Sequence, residues 1–519
     1  MMEETNKPAV NRYVVLLLVS LGTLMSTYVS SSINLALPNI MQVFGFTIDS
    51  VVWVSLSYMI PYGATLPLMG KLGDLFGRKR MYLLGMAIFT VSTLLVGLAW
   101  NDTVLIIFRI LQGTGAGLLF PNAMAIVTVT FPAHERGQAL GIWGALAAGG
   151  SAFGPTVGGY IVEYLNWRLI FYSILPVSLL ALFLGALLLP ESKNTGKKTN
   201  IDFLGAFLLI GSLSALLLAL NKGTKEGWSS PLIVNCLALF AVGMILFIAV
   251  ELYIKHPLVD ISLFKNPTFT MSNLVGFLSF LTLYGALFMM PFFLRNVLGY
   301  TAIKAGIVML PMTVSMVLLA PFGGKLGDHL GSRIPATLGM LLITAALYSF
   351  SRMTALNDGF NITWRLILMG TGLAFTMSPL SNGVMGSLPP DKVGVGSGIF
   401  NLFKNVGGSV GVAVMGALLD QREILHKDIL KDYINFSFPA TDHGYLLFYY
   451  LYQASGFNEV SSKGLALAKF HSLILKKAAE LSYQDVFLAT AWIAGAGVVA
   501  ALFIRDAKKA VPIKVTRET

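Results

Sequence analysis

Apolar residues in this chain gather into long runs separated by short polar breaks, and the runs make up most of its length. A helix of about 20 residues crosses a hydrocarbon core of about 30 Å, and about fourteen runs reach that length. They cover residues 13–37, 51–70, 81–99, 103–130, 139–161, 168–189, 202–220, 232–252, 269–291, 303–323, 335–351, 364–386, 394–418 and 484–504. The first run follows MMEETNKPAVNR and has no small-residue cleavage site before Pro38, so it is expected to be a retained span rather than a leader.

The polar breaks set the orientation. Lys71, Arg78, Lys79 and Arg80 follow the second run, Lys193, Lys197 and Lys198 the sixth, and Arg505, Lys508 and Lys509 the last. All three groups fall on one face. Opposite breaks such as Trp100-Asn101-Asp102 are poor in cations, so the basic face is expected to be cytoplasmic, with both termini inside. One break is long: residues 420–482 lie on the outer side and carry seven or so Lys and Arg. Within it, QREILHKDILKDYI and VSSKGLALAKFHSLILKKAAEL have helical periodicity, and GYLLFYYLYQ is apolar but too short to cross. Amphipathic helices resting on the outer mouth or headgroup layer are expected here, with a docking site for an outer partner, or a lid, as the alternative.

A signature is written twice, as GKLGDLFGRK at 70–79 and GKLGDHLGSR at 324–333. Each copy sits between two apolar runs, which points to two homologous bundles joined in one chain. With six spans per half the second copy should follow the eighth span, yet it follows the tenth. Two extra spans must therefore lie between the bundles. The expected architecture is all-α: a bundle over 1–190, two inserted spans with flanking loops over 191–267, and a second bundle over 268–519 with the long outer loop at 420–482, fourteen transmembrane helices in all.

Composition agrees with a lipid environment. Of 519 residues 55% are hydrophobic and 12% charged, too little charge to cover a soluble globule of this size, and mean hydropathy is +0.73. The net charge of +11 forms no basic stripe interleaved with aromatics, so nucleic acid is not an expected partner. The single Cys236 excludes an internal disulfide, and the six His have no metal-type spacing. Neither a phosphate loop nor a hydrolase elbow occurs, so no catalytic residue, metal or cofactor is expected.

Two further motifs carry function. RILQGTGAGLLFP at 109–121 places Arg109 roughly 9 Å from the outer end of its span, with Gln112 one turn away. An arginine at that depth must face a cavity or a partner, unless it snorkels to the headgroups. GGSAFGPTVGG at 149–159 sets Gly150, Gly154, Gly158 and Gly159 along a smooth ridge, with Pro155 removing a backbone donor, so that this helix packs closely and bends. The ridge is expected to touch the opposing bundle.

With these motifs the chain resembles the major facilitator superfamily, and within it the fourteen-span drug:proton antiporter family of multidrug exporters. NWRLIF at 166–171 and LFKN at 263–266 match its loop signatures too. The resemblance implies export of small amphipathic organic compounds from the cytoplasmic membrane by a monomer surrounded by lipid, in exchange for protons. It makes the duplicated signature a cytoplasmic latch of the outward-open state. Gly70, Gly73 and Gly77 would allow close approach of spans 2 and 3, and Asp74 would accept from a neighbouring helix N-terminus or pair with Arg78. Gly324, Gly327, Asp328, Gly331 and Arg333 would repeat this, with Ser332 where the first copy has Arg78.

The first span departs from the family pattern. Residues 28–38 read YVSSSINLALP, with Val29 where the family carries its proton-binding aspartate. No Asp or Glu stands near the middle of any other span; Glu163 and Asp485, near the outer mouth, are the substitutes on offer. Arg109 and Lys404 are then intramembrane cations without an evident counter-charge, and an alternative follows: a cavity for anionic or zwitterionic amphiphiles, lipids included, without conventional proton coupling. Thr27, Ser30, Ser31 and Asn34 form a polar stripe on span 1 that either faces that cavity or bonds to its own helix carbonyls. Trp53, Tyr58, Trp143, Tyr284, Met289, Asn382, Asn401 and Asn405 complete the candidate pocket. A membrane scaffold or sensor that moves nothing is the reading from another class.

Overall fold

A computed structural model describes residues 11–47, 50–191, 202–254, 257–354, 359–433 and 439–505. Lys193, Lys197, Lys198, Lys508 and Lys509 of the orientation argument lie outside them, as do residues 434–438 of the outer loop.

The described residues form helices and turns only. The first half holds α1 (Arg12–Phe44), α2 (Val52–Phe76), α3 (Arg78–Leu98), α4 (Asp102–Thr130), α5 (Arg136–Tyr164) and a broken pair, α6 (Leu169–Tyr172) and α7 (Leu175–Leu188). Next come α8 (Phe203–Glu226) and α9 (Pro231–Tyr253), then α10 (Pro267–Asn296), α11 (Ala302–Leu330), α12 (Arg333–Phe350), α13 (Gly359–Gly386), α14 (Val393–Tyr433), α15 (Pro439–Ala454) and α16 (Glu459–Leu502). Polar side chains start many of them: Asn101 accepts from the N–H of Val104, Asn266 from Thr268 and Phe269, and Ser230 caps the helix that Pro231 opens.

Among the described residues, eleven segments are long and apolar enough to cross a bilayer. The helices α2, α5 and α13 fall outside that set. All three carry proline, Pro61 and Pro67 in α2, Pro155 in α5 and Pro379 in α13. All three are packed among other helices rather than left against lipid: α2 lies between α4 and α14, α5 between α1 and α11, and α13 between α11 and α12. Close packing there needs small residues more than large apolar ones.

The pair α8–α9 packs on itself and reaches the rest through α8, which lies against α2 and α14. Outward-facing α9 leaves Leu239, Val242 and Ile245 exposed.

The outer segment is helical as expected, but its arrangement differs. Rather than separate helices lying flat, 420–433 continues α14 and 459–482 continues α16, and α15 packs back on α16. At 41 and 44 residues these two helices run to about 60 and 65 Å, twice a hydrocarbon core. Asp485 of α16 ties them together, accepting from His426 Nε2 at 2.9 Å and lying 3.6 Å from Arg422 Nη1.

The glycine ridge of α5 also differs from expectation. Its partner is α1 of the same half: a methyl at Gly150 would lie 2.3 Å from the Leu24 carbonyl oxygen, one at Gly154 would meet Ser31, and one at Gly158 would meet Ser32. Gly159 faces Leu35 at ordinary contact distance, and the side chain of Pro155 lies outside the described residues. The residues that meet the second half are Gly137 and Gly141, earlier in α5, against Gly324 and Ala320 of α11. Small residues spaced by four recur on two faces of α5, and sequence spacing does not say which neighbour each face meets.

Gly150→Ala is expected to lower the melting temperature in detergent, because carbonyl and methyl cannot both keep their places, at a cost of about 1–3 kcal/mol. Gly144→Ala, where a methyl meets nothing within 4 Å, should be neutral within about 0.5 kcal/mol.

Candidate functional site

The two signature copies build the same device at the same end of the molecule. Gly70 lets α2 touch α14, where a methyl would sit 2.1 Å from the Gly394 carbonyl oxygen. Three residues on, Gly73 admits Asn122 of α4, whose amide donates to the Met69 and Leu118 carbonyls. Gly77 then turns the chain with φ of 101°, open to glycine at little cost. In the second copy Gly324 meets Gly137 of α5, Gly327 meets Pro379 of α13, and Gly331 turns with φ of 83°. The close approach is therefore to α14, α4, α5 and α13, not between consecutive spans; only the third glycine of each copy serves its own turn.

Each signature aspartate caps a helix of the opposite half. Asp74 accepts from the backbone N–H of Gly394 and Val395 at 3.0 and 2.9 Å, at the start of α14, and from Arg78 at 2.9 and 3.2 Å. Asp328 accepts from Gly137 and Gln138 at 2.8 and 3.0 Å, at the start of α5. It also accepts from the Asn382 amide at 2.9 Å, which places Asn382 beside the second signature copy. Helix starts offer unpaired N–H groups and the positive end of the helix dipole, so a carboxylate is the matching partner. Arg333 opens α12.

The first latch is also held from the linker between α9 and α10. Arg78 donates to the Pro390 carbonyl, and Lys392 of the same short turn pairs with Asp260. Burial works against ionisation of Asp260, but the Lys392 ammonium and the Ser262 donors outweigh it and hold the carboxyl below its usual range.

Above the latches the halves stay in contact along α2 and α14. A methyl at Gly398 would strike the Leu66 carbonyl oxygen, Ser397 donates to Pro121 of α4 at 2.7 Å, and Asn405 lies against Gly63.

The polar centre of the first half is a buried chain across four helices. Arg109 is fully buried, donating from Nε to the Val54 carbonyl at 3.0 Å and from Nη1 to Gln112 at 2.7 Å, with its guanidinium 4.5 Å from the centre of the Tyr58 ring. Gln112 donates to Thr93, and the Tyr58 hydroxyl lies 2.6 Å from that of Ser26. The arginine thus does not snorkel; it faces helix α2, and Nη2 has no hydrogen-bond partner. Ser26 and Thr93 were not among the expected residues. Hydroxyls inside apolar helices commonly satisfy themselves on their own carbonyls, so nothing in the pattern marks these two.

The other expected residues divide. Thr27 and Ser31 bond to their own helix carbonyls, and Thr27 also reaches Ala147 of α5 at 2.7 Å. Ser30 is half-buried, while exposed Asn34 accepts from Ser55 at 3.0 Å. Trp53 lies near Lys222 of α8, and Met289 is fully buried. Aromatic rings run from Tyr58 to Tyr62, Phe120 and Trp143 at centroid separations of 6.1, 5.2 and 6.1 Å. In the second half Lys404 donates to Asn401 at 3.2 Å and stands 4.8 Å from the Phe280 ring centre, and Phe280 stacks on Tyr284. Among the described residues no group of acids, His and Cys is disposed to hold a metal.

Paired carboxylate caps between two helical halves, in a chain of many apolar helices, point to a class: an all-α, multi-span membrane transporter. The model of the Major Facilitator Superfamily matches residues 19–412, and the chain belongs to that superfamily. It is a secondary transporter of small organic solutes, not an enzyme. The chain is 32% identical over 440 residues to "Multidrug transporter protein MdtP" of Bacillus subtilis (strain 168), covering 84% of this chain and 80% of that one. It is 33% identical over 409 residues to "Multidrug resistance protein Stp" of Mycobacterium tuberculosis (strain CDC 1551 / Oshkosh), covering 78% and 75%. Two solved structures share the fold: the human organic anion transporter MFSD10 (TETRAN), with TM-score 0.60 at 14% identity over 93% of this chain and 99% of that one, and the proton:xylose symporter XylE, with 0.56 at 15% over 96% of each.

Two outcomes test the latches. Asp74→Asn is expected to raise maleimide labelling of a Ser397→Cys reporter, in a Cys236→Ala background, by about tenfold, and Asp328→Asn by less, because only the first aspartate also loses a paired arginine. The Asp260 link stabilises the fold above the ordinary carboxylate range and is lost as pH falls through its depressed value. Wild-type melting temperature should therefore drop more steeply than that of Asp260→Asn between about pH 5 and pH 3.

Proposed function

We propose that the protein is a multidrug-efflux type exporter of amphipathic organic compounds, working by alternating access in the cytoplasmic membrane and coupled to an ion gradient. In this reading fourteen helices span the bilayer. The counted eleven are joined by α2, α5 and α13, giving six spans in 1–190, two inserted spans in 191–267 and six in 268–519, with the signature end and both termini cytoplasmic. The described state is then closed inside, ready to release substrate outside.

The observation that supports the rocking mechanism is the exchange of caps: Asp74 of the first half on α14 and Asp328 of the second half on α5. Each cap can be made only when the two halves close at that end. Opening it exposes two carboxylates and two helix starts to water at once, which makes intermediate positions unfavourable and the transition two-state. Efflux as the direction is supported by the multidrug relatives and by the glycine-rich α5, whose fit against α1 keeps the first half rigid as it moves. Coupling does not run through span 1, where Val29 is fully buried and carries no charge. Of the outer carboxylates, Asp485 is engaged by His426 and Arg422, whereas Glu163 is exposed and is the acid this reading assigns to protons.

In everted membrane vesicles, expression of the chain is expected to drive uptake of an amphipathic dye, carboxyfluorescein or ethidium, when the lumen is made acidic, with Asp74→Asn lowering the rate about tenfold and Glu163→Gln removing the dependence on the gradient. Uptake no greater than in vesicles without the protein overturns the reading.

A further inference from the structure

Lys404 sits eleven residues past the start of α14, about 16 Å along the axis and near the bilayer midplane. An ammonium there has lost most of its hydration and needs compensation. The protein supplies only part of it. The faces of Phe280 and Phe400 flank the nitrogen at 4.8 and 5.2 Å, and the oxygen of Asn401 accepts one of its three protons at 3.2 Å. Among the described residues no carboxylate pairs with it. Arg109, the other intramembrane cation, is different: it is fully buried, and Val54, Gln112 and Tyr58 occupy it.

Beside Lys404 lies an aromatic surface. Tyr284, in the middle of α10, stacks on Phe280 with centroids 5.8 Å apart and planes 25° from parallel, yet is 42% exposed. It does not face lipid alone. Its ring lies against Gly408 of α14, where a methyl would come within 3.1 Å, one turn from Asn405, which meets Gly63, next to Tyr62, on α2 of the other half. Tyr62 in turn begins the run to Phe120 and Trp143. Two ammonium protons that take no acceptor among the described residues therefore adjoin a flat ring that is partly open.

We propose that Lys404 is the headgroup site for planar aromatic organic anions, carboxylates or sulfonates, with the ammonium taking the acid group and Tyr284 and Phe280 stacking on the ring system. The assignment rests on the export reading for its direction of transport but not for the binding itself. Asn401 positions the ammonium by holding one proton. A cationic dye gains from the rings but is repelled by the ammonium, so charge selects among amphiphiles of equal size.

The test uses the full chain purified in detergent, with carboxyfluorescein as the probe, binding read by anisotropy and by the shift in melting temperature. Wild type and Lys404→Arg are expected to bind it, Lys404→Gln to bind about tenfold more weakly or worse, and Tyr284→Ala to lose a large part of the affinity while keeping the dependence on the acid group. A Lys404→Gln protein with unchanged unliganded melting and unchanged carboxyfluorescein affinity overturns the proposal, as does a wild type that binds none. Stabilisation by phosphatidylglycerol with no effect of carboxyfluorescein assigns the ammonium to a lipid headgroup and overturns it too. Binding without flux in proteoliposomes leaves the site standing and removes the export reading; ethidium flux without carboxyfluorescein binding does the reverse.

Discussion

The structure depends on a carboxylate placed at the start of a helix that belongs to the other half of the molecule. Asp74 on α14 and Asp328 on α5 each satisfy two backbone N–H groups that their own helices leave unpaired. The bond is available only because Gly70 and Gly324 remove the side chains that would hold the backbones apart. Charge, dipole and close approach thus act at one point in each copy, and losing the approach loses the other two.

The two copies are alike in backbone and unlike in charge. Arg78 reinforces the first and reaches on to the turn before α14, where Lys392 meets Asp260. The second has Ser332 at the arginine position and draws on the neutral amide of Asn382. The α9–α10 linker is thereby joined to one gate, which gives the pair α8–α9 a mechanical connection to the closed end, beyond their place beside α2 and α14.

Arg109 is buried within the packing of the first half. A guanidinium enclosed by a carbonyl, an amide and a tyrosine ring holds α2 and α4 together, and Thr93 and Ser26 extend the tie to α3 and α1. A low dielectric strengthens every bond in such a chain, so the network ties the four helices together. Lys404 has a sparser shell of one amide oxygen and two ring faces.

The helical membrane spans and the repeated signature were legible in the sequence, because hydropathy and duplication are local properties of the chain. So were the roles available to Asp74: it both meets a helix start and pairs with Arg78. Which helix it meets was not legible, nor that Asn382 lies beside the second signature copy, that the α5 ridge faces α1, or that residues 420–433 and 459–482 prolong membrane helices. Each of these depends on which faces of two distant helices come together, and a spacing of four small residues reads the same whatever lies opposite. The sequence by itself determined a multi-span helical membrane protein with a duplicated signature; only the tertiary structure decided which contacts join its halves, because a cap needs a donor whose position no stretch of sequence carries.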